Sequence, residues 1–239
     1  MTEAGRSHCP TNLGSFPEVA GPAGRLEACL GLPADSEPVA AAVLAHPHPR
    51  HGGTMNSKVL VYLARALRRR GVATLRFNFR GVGTSAGTYD GGRGETADAA
   101  AAIKFLGERF PAMPLWALGF SFGAYAGLRA AVADARVRRL VAIAPPVTWY
   151  AFGFLETERR PLLVVQGGRD EVVDPDAVRA FRARLQRVPE WLWLPEADHF
   201  FTDQVRAMAD QVAERLTGPA LGADGDFAVR AACNVTCGF

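Results

Sequence analysis

From Arg25 onward, apolar positions fall into two kinds of segment that alternate along the chain. Short runs with little polar interruption predict buried strands at 25–32 ("RLEACLGL"), 38–46, 72–79, 114–120, 137–144, 161–167 and 190–195. Between them, apolar residues recur at helical spacing and predict helices over 56–71, about 96–109, about 122–134, 175–187 and 202–216. In the first helix Leu60, Leu63, Ala64 and Leu67 share one face, Asn56 or Ser57 is placed to cap it, and Gly71 follows a basic last turn. Strands that alternate with helices, and that are apolar on both sides, belong in a mostly parallel sheet covered on both faces. The fold class is therefore α/β, in a single domain over 25–217. Residues 1–24 are rich in Gly, Pro and small polar residues and read as a loose leader. Residues 218–239 have no period and read as a flexible tail.

Composition narrows the class without changing this picture. The chain has 239 residues, 49% hydrophobic and 21% charged, which suits a globular enzyme with a large core. Its net charge is +3 and its pI about 8.8. The arginines are dispersed. The densest group (Arg179, Arg182, Arg184 and Arg187) reads as a solvated helix face with a basic last turn rather than a nucleic-acid surface. Cys9, Cys29, Cys233 and Cys237 form no C-x-x-C pair and have no zinc-like spacing with histidine, as expected of thiols in a reducing compartment. No apolar signal segment and no run of membrane-spanning length is found. The expectation is a cytoplasmic protein with no membrane or nucleic-acid partner. The oligomeric state has no signature in the sequence.

Chemistry gathers where predicted strands end. "GFSFG" (119–123) fits G-x-S-x-G with a strand before it and a helix after it, the setting that lifts a serine hydroxyl out of a sharp turn. A serine nucleophile needs a base, and the base needs an orienting acid. Asp170, in "VVQGGRDEVVDP", and His199, in "WLPEADHFF", each follow a later strand, giving the chain order Ser121, Asp170, His199. Glu171, Asp174 and Asp198 are rival carboxylates. Asp170 is preferred because it follows the glycine turn most directly. A further stretch, "LAHPHPRHGGTMNSK" (44–58), holds His46, His48 and His51 in a spacing close to the H-x-H-x-D-H signature of metallo-β-lactamase-type hydrolases.

The segments "HPHPRHGGTMNSKV", "FNFRGVGTSAG", "GFSFGA", "QGGRDEVVDP" and "ADHFF", spread over about 46–201, together resemble the α/β-hydrolases. The similarity is greatest to small lidless bacterial hydrolases related to dienelactone hydrolase. Two departures stand out: the nucleophile position is Ser121 rather than cysteine, and Arg50 and His51 replace apolar residues. The resemblance implies a carboxylesterase on a small-molecule ester, with Ser121, His199 and Asp170 as triad and no cofactor. It also implies an oxyanion hole built from the N–H after the nucleophile, Phe122, and an N–H from the loop after the early strand. Pro47 and Pro49 have no N–H, so His48 is assigned as that donor.

The metal reading conflicts with Arg50, a cation at the carboxylate position of the signature, and with the lack of any free downstream histidine but His199. No metal is expected. Arg80 and the glycines of 81–87 resemble the loop after the next strand of these hydrolases; a phosphate-cradling loop would need a Lys-Ser/Thr that is absent. About sixteen residues, "PPVTWYAFGFLETERR", separate two later strands, too few for a lid. Trp149, Tyr150 and Phe152, with Phe154, either line an acyl pocket or pack the sheet edge. The same triad would also serve a thioesterase, peptidase or acyltransferase. A metallohydrolase or a non-catalytic binding protein on this scaffold are the remaining alternatives.

Overall fold

A computed structural model describes residues 14–218. Cys9, Cys233, Cys237 and the tail beyond 218 lie outside the described residues. The main sheet has eight strands: β1 (Gly14–Ser15), β4 (Ala28–Gly31), β5 (Ala40–Ala45), β6 (Val72–Phe77), β7 (Leu115–Phe120), β8 (Val137–Ile143), β9 (Leu162–Gly167) and β10 (Glu190–Leu194). Their order is β1-β4-β6-β5-β7-β8-β9-β10. β1 and β4 pair antiparallel at one end, and all pairs from β6 to β10 are parallel. β5, β6, β7 and β9 are buried at every position, which is why β5 and β7 run apolar instead of alternating.

Among the described residues, five α-helices cover the sheet: α1 (Lys58–Arg68), α2 (Arg93–Arg109), α3 (Phe122–Val132), α4 (Pro175–Arg184) and α5 (Val205–Thr217). α1 and α5 pack on one face, where Leu60, Leu63 and Leu67 meet Met208 and Val212. α2, α3 and α4 pack on the other through Ile103, Leu106, Leu128 and Phe181, against Phe77 and Phe79. Burying each such side chain contributes roughly 1.5–3 kcal/mol. The strand order reverses between β5 and β7. The chain leaves β5 for α1 on one face and leaves β7 for α3 on the other, opening a crevice at the carboxyl ends where sites of open α/β sheets form.

Three expectations are corrected in detail. The leader is not loose up to residue 24, because Gly14–Ser15 pairs with β4, and β2 (Val19–Gly21) pairs with β3 (Gly24–Leu26) in a two-stranded sheet. The single strand expected over 25–32 is divided at Glu27 into β3 and β4. Glu27 turns its carboxylate onto Asn78 Nδ2 (2.8 Å) and Thr84 N–H (2.9 Å), while its own N–H donates to Ser85 Oγ (2.9 Å). α2 begins at Arg93 rather than about 96, because the Glu95 side chain folds back to accept from the N–H groups of Gly92 (2.7 Å) and Asp90 (2.8 Å).

The arginines of α4 have local occupations. Arg179 pairs with Asp176, and its guanidinium lies 4.1 Å from the ring centre of Trp193. Arg182 lies 5.2 Å from that of Trp191, and Arg184 pairs with Glu156. Arg179 and Arg182 cover the tryptophans of β10, the edge strand.

Candidate active site

One residue, Ser121, separates β7 from α3. Its backbone sits at φ 53°, ψ −121°, a region costly for a residue with a Cβ, by about 1–3 kcal/mol. Its N–H is anchored on Ile143 O at 2.8 Å, at the end of the neighbouring β8. The flanking glycines are dictated by close approach. A Cβ on Gly119 would lie 2.2 Å from Gly123 O, and one on Gly123 would lie 2.2 Å from Ala45 O and 2.6 Å from His46 O. The first turn of α3 thus presses directly on the backbone that leaves β5.

The turns after β9 and β10 are tied together in the same way. Gly168 N–H donates to Leu194 O (2.8 Å) and Arg169 N–H to Ala197 O (2.9 Å). A Cβ on Gly167 would come within 2.4 Å of Ala197 O. This brings the two loops into register, and His199 Nδ1–H donates to Asp170 Oδ2 at 2.9 Å. With that proton on Nδ1, the Nε2 lone pair faces Ser121 Oγ at 3.1 Å. The residues are 8%, 6% and 4% exposed for Ser121, Asp170 and His199. Burial pushes the Asp170 carboxyl up, but hydrogen bonds from His199, Val173 N–H and Gln166 outweigh it and hold the group below its ordinary value. The rival carboxylates are engaged elsewhere or exposed: Asp174 caps α4 through Asp176 N–H, Asp198 accepts from Thr202, and Glu171 lies in solvent. Such a hydroxyl–imidazole–carboxylate chain can remove a proton from the hydroxyl and later return it.

A family model described as "alpha/beta hydrolase fold" matches residues 50–227. The chain belongs to that family. It is 38% identical to an α/β serine hydrolase homologue from Coxiella burnetii, whose structure superposes with a TM-score of 0.80 over 88% of this chain and 100% of that one. It is 37% identical to a Xanthomonas campestris protein described as an α/β serine hydrolase without lid, with a TM-score of 0.79 over 89% of this chain and 98% of that one. An uncharacterized protein of Rickettsia prowazekii is 37% identical over 82% of this chain and 86% of its own length. In this α/β hydrolase the segment between β8 and β9 forms only a short 3-10 turn, Gly153–Leu155, and no cap domain.

The histidine cluster separates into distinct roles. His46 is fully buried, and both ring nitrogens are committed: Nδ1–H donates to Pro47 O (2.6 Å) and Nε2 accepts from Phe79 N–H (3.0 Å). It ties the end of β5 to the end of β6, and a metal ion could bind it only by breaking one of these bonds. Among the described residues, no three His, Cys, Asp or Glu side chains converge as a metal site. His48 is half-buried. Its Nε2 pairs with Tyr89 Oη (3.1 Å) and its Nδ1 accepts from Arg50 N–H (3.1 Å). The N–H groups of His51 and Gly53 both donate to His48 O. The backbone donors of Arg50 and His51 are therefore occupied within the turn. Its ring lies 5.0 Å from that of Phe122. Phe122 opens α3, so its N–H is among those with no acceptor inside the helix.

His46 also makes a pH prediction. Burial pushes its pKa from 6.5 down to about 3, so the folded protein keeps the ring neutral where the unfolded chain is protonated. The stability it contributes is complete above 6.5. It falls by about 1.4 kcal/mol for each pH unit below that, until the pH nears 3. Urea unfolding of wild type and His46→Gln should show wild type ahead at pH 7.5 and the gap narrowing steadily towards pH 4.5. A constant gap across that range contradicts the assignment.

The three aromatic residues singled out for a pocket lie in different settings. Phe152 is 3% exposed and packs on Tyr125, Phe154 and Phe181, so it belongs to the core and not to a substrate surface. Trp149 is 57% exposed, and Tyr150 stacks on Tyr125 at 4.5 Å. Three residues not anticipated complete the surroundings. Tyr89 meets His48, Gln166 meets Asp170, and the 56%-exposed Phe200 stands edge-on to His199 at 5.1 Å. The glycine-rich loop after β6 is no phosphate cradle. Arg80 N–H is bound to Asp98, as Thr84 N–H is to Glu27.

Proposed function

We propose that this protein is a serine hydrolase that cleaves small acyl esters through an acyl-enzyme. The observation that carries the reading is the buried chain Ser121 Oγ–His199–Asp170, with bonds of 3.1 and 2.9 Å and the serine raised on a strained turn. Ser121 Oγ attacks the carbonyl carbon while His199 Nε2 takes its proton. Asp170 holds Nδ1–H and stabilises the imidazolium. The N–H groups of Phe122 and His48 receive the oxyanion. His199 then protonates the leaving alcohol, and a water activated by the same Nε2 releases the acid and restores Ser121. The reading takes residues 25–217 as the catalytic body, with no metal or cofactor in any step. It sets the protein in the cytoplasm as a soluble enzyme acting on a small molecule. Support comes from the description of the Coxiella and Xanthomonas proteins as serine hydrolases. No helix of the described residues is long and apolar enough to cross a membrane.

The chemical step alone does not distinguish esters from thioesters, amides or acyl transfer. A small substrate follows from the missing lid. Each CH₂ contributes roughly 0.8 kcal/mol only where it is covered, and the segment between β8 and β9 is a short turn with no cap to cover a long chain. A fluorophosphonate probe should label the wild-type protein. Among p-nitrophenyl esters, kcat/KM should peak between acetyl and hexanoyl. No labelling, with no turnover of any ester, defeats the proposed function, and a rise continuing to palmitoyl defeats its size limit.

A further inference from the structure

β9 carries one polar side chain, Gln166, at a position with no exposure. Its Nε2 donates to Asp170 Oδ2 at 2.9 Å and to Gly167 O at 3.2 Å. Its Oε1 is buried and meets no donor among the described residues. Turning the amide over would press that oxygen against two acceptors, Asp170 Oδ2 and Gly167 O, so the orientation is fixed. A buried amide oxygen without a donor costs free energy, and an apolar side chain of the same volume would avoid that cost. For packing alone, Gln166 is a poor choice.

What it does to Asp170 explains it. Asp170 Oδ1 accepts from the N–H groups of Val172 (2.9 Å) and Val173 (2.7 Å). Two bonds to one oxygen leave the carboxylate free to pivot about it. Among the described residues, Oδ2, the oxygen that accepts from His199, is held on its other side only by Gln166. We propose that Gln166 is a positioning residue for the reaction, its Nε2–H fixing Asp170 Oδ2 where it aligns and steadies the His199 imidazole. The proposal rests on the serine-hydrolase reading above.

Gln166→Met and Gln166→Leu remove the bond while filling the space. On p-nitrophenyl acetate both should lower kcat by roughly ten- to a hundred-fold, the rate equivalent of losing one hydrogen bond to an ionised group, with KM unchanged. Their melting temperatures should equal or exceed that of wild type, since the unpaired oxygen is gone. In an Asp170→Ala background, where there is no carboxylate to position, the same substitutions should have no further effect on kcat. Wild-type kcat in both variants overturns the proposal, as does a loss that persists undiminished in the Asp170→Ala background or that merely tracks a falling melting temperature. Ser121→Ala, run alongside, keeps the two levels apart. If it is inactive while Gln166→Met is fully active, only the positioning role falls. If it is itself active, the underlying reading falls.

Discussion

Ser121→Ala and His199→Ala are each expected to lower kcat on p-nitrophenyl acetate by roughly 10⁴–10⁶, and the double variant should be no slower than either single one. The argument is one of shared function. Without Oγ there is no atom for His199 to deprotonate. Without Nε2, 3.1 Å away, Oγ remains a neutral hydroxyl and a weak nucleophile. Each loss therefore removes the same step, and the effects cannot multiply. Fluorophosphonate labelling should vanish in Ser121→Ala. Both variants should stay folded. Alanine keeps the same Cβ at the same positive φ, so the backbone strain is unchanged, and the N–H bond of residue 121 to Ile143 O does not depend on the side chain. Additive losses, or appreciable turnover in either single variant, would mean that the two residues do not act as a unit.

The parts of this arrangement that were legible in the sequence share one property: each is set by local chain chemistry. β5 and β7 are apolar at every position because both their faces are covered, and such runs declare themselves without knowledge of their neighbours. Gly119 and Gly123 mark the turn at Ser121 because backbone passes within reach of where a Cβ would stand. Asp170 and His199 follow their strands by a few residues. What escaped depends on distant partners. Glu27 interrupts a strand because Asn78 and Thr84, more than fifty positions away, offer it hydrogen bonds. The residues from Gly14 form strands because β4 and the short β3 are there to pair with them. Phe152 looked like a pocket aromatic in an irregular segment, but Phe181 of α4 closes over it. Gln166 alone carried an unread local signal, since a glutamine inside "LLVVQG" is a polar group in a strand with no exposed face.

Asp170→Asn tests the electrostatic end of the chain, and its outcome follows from which donors face each oxygen. Oδ1 lies against two backbone N–H groups, those of Val172 and Val173, which only an oxygen can accept. The asparagine must therefore keep its carbonyl there and turn its NH₂ towards His199 and Gln166. Gln166 can present Oε1 to that NH₂ only by turning its amide over, which sets the same oxygen against Gly167 O. His199 can respond only by taking the other tautomer, with Nδ1 as acceptor and the proton on Nε2. That proton points at Ser121 Oγ, so the ring can no longer act as base. The substitution conserves shape, but Gln166 can then satisfy only one of the new NH₂ and Gly167 O, so the melting temperature should fall modestly with the protein still folded. The rate should fall by about 10⁴, as expected when the acid of a triad is exchanged for its amide and the imidazole is held in the wrong tautomer. An Asp170→Asn enzyme within tenfold of wild type would show that Asp170 does no more than anchor its loop.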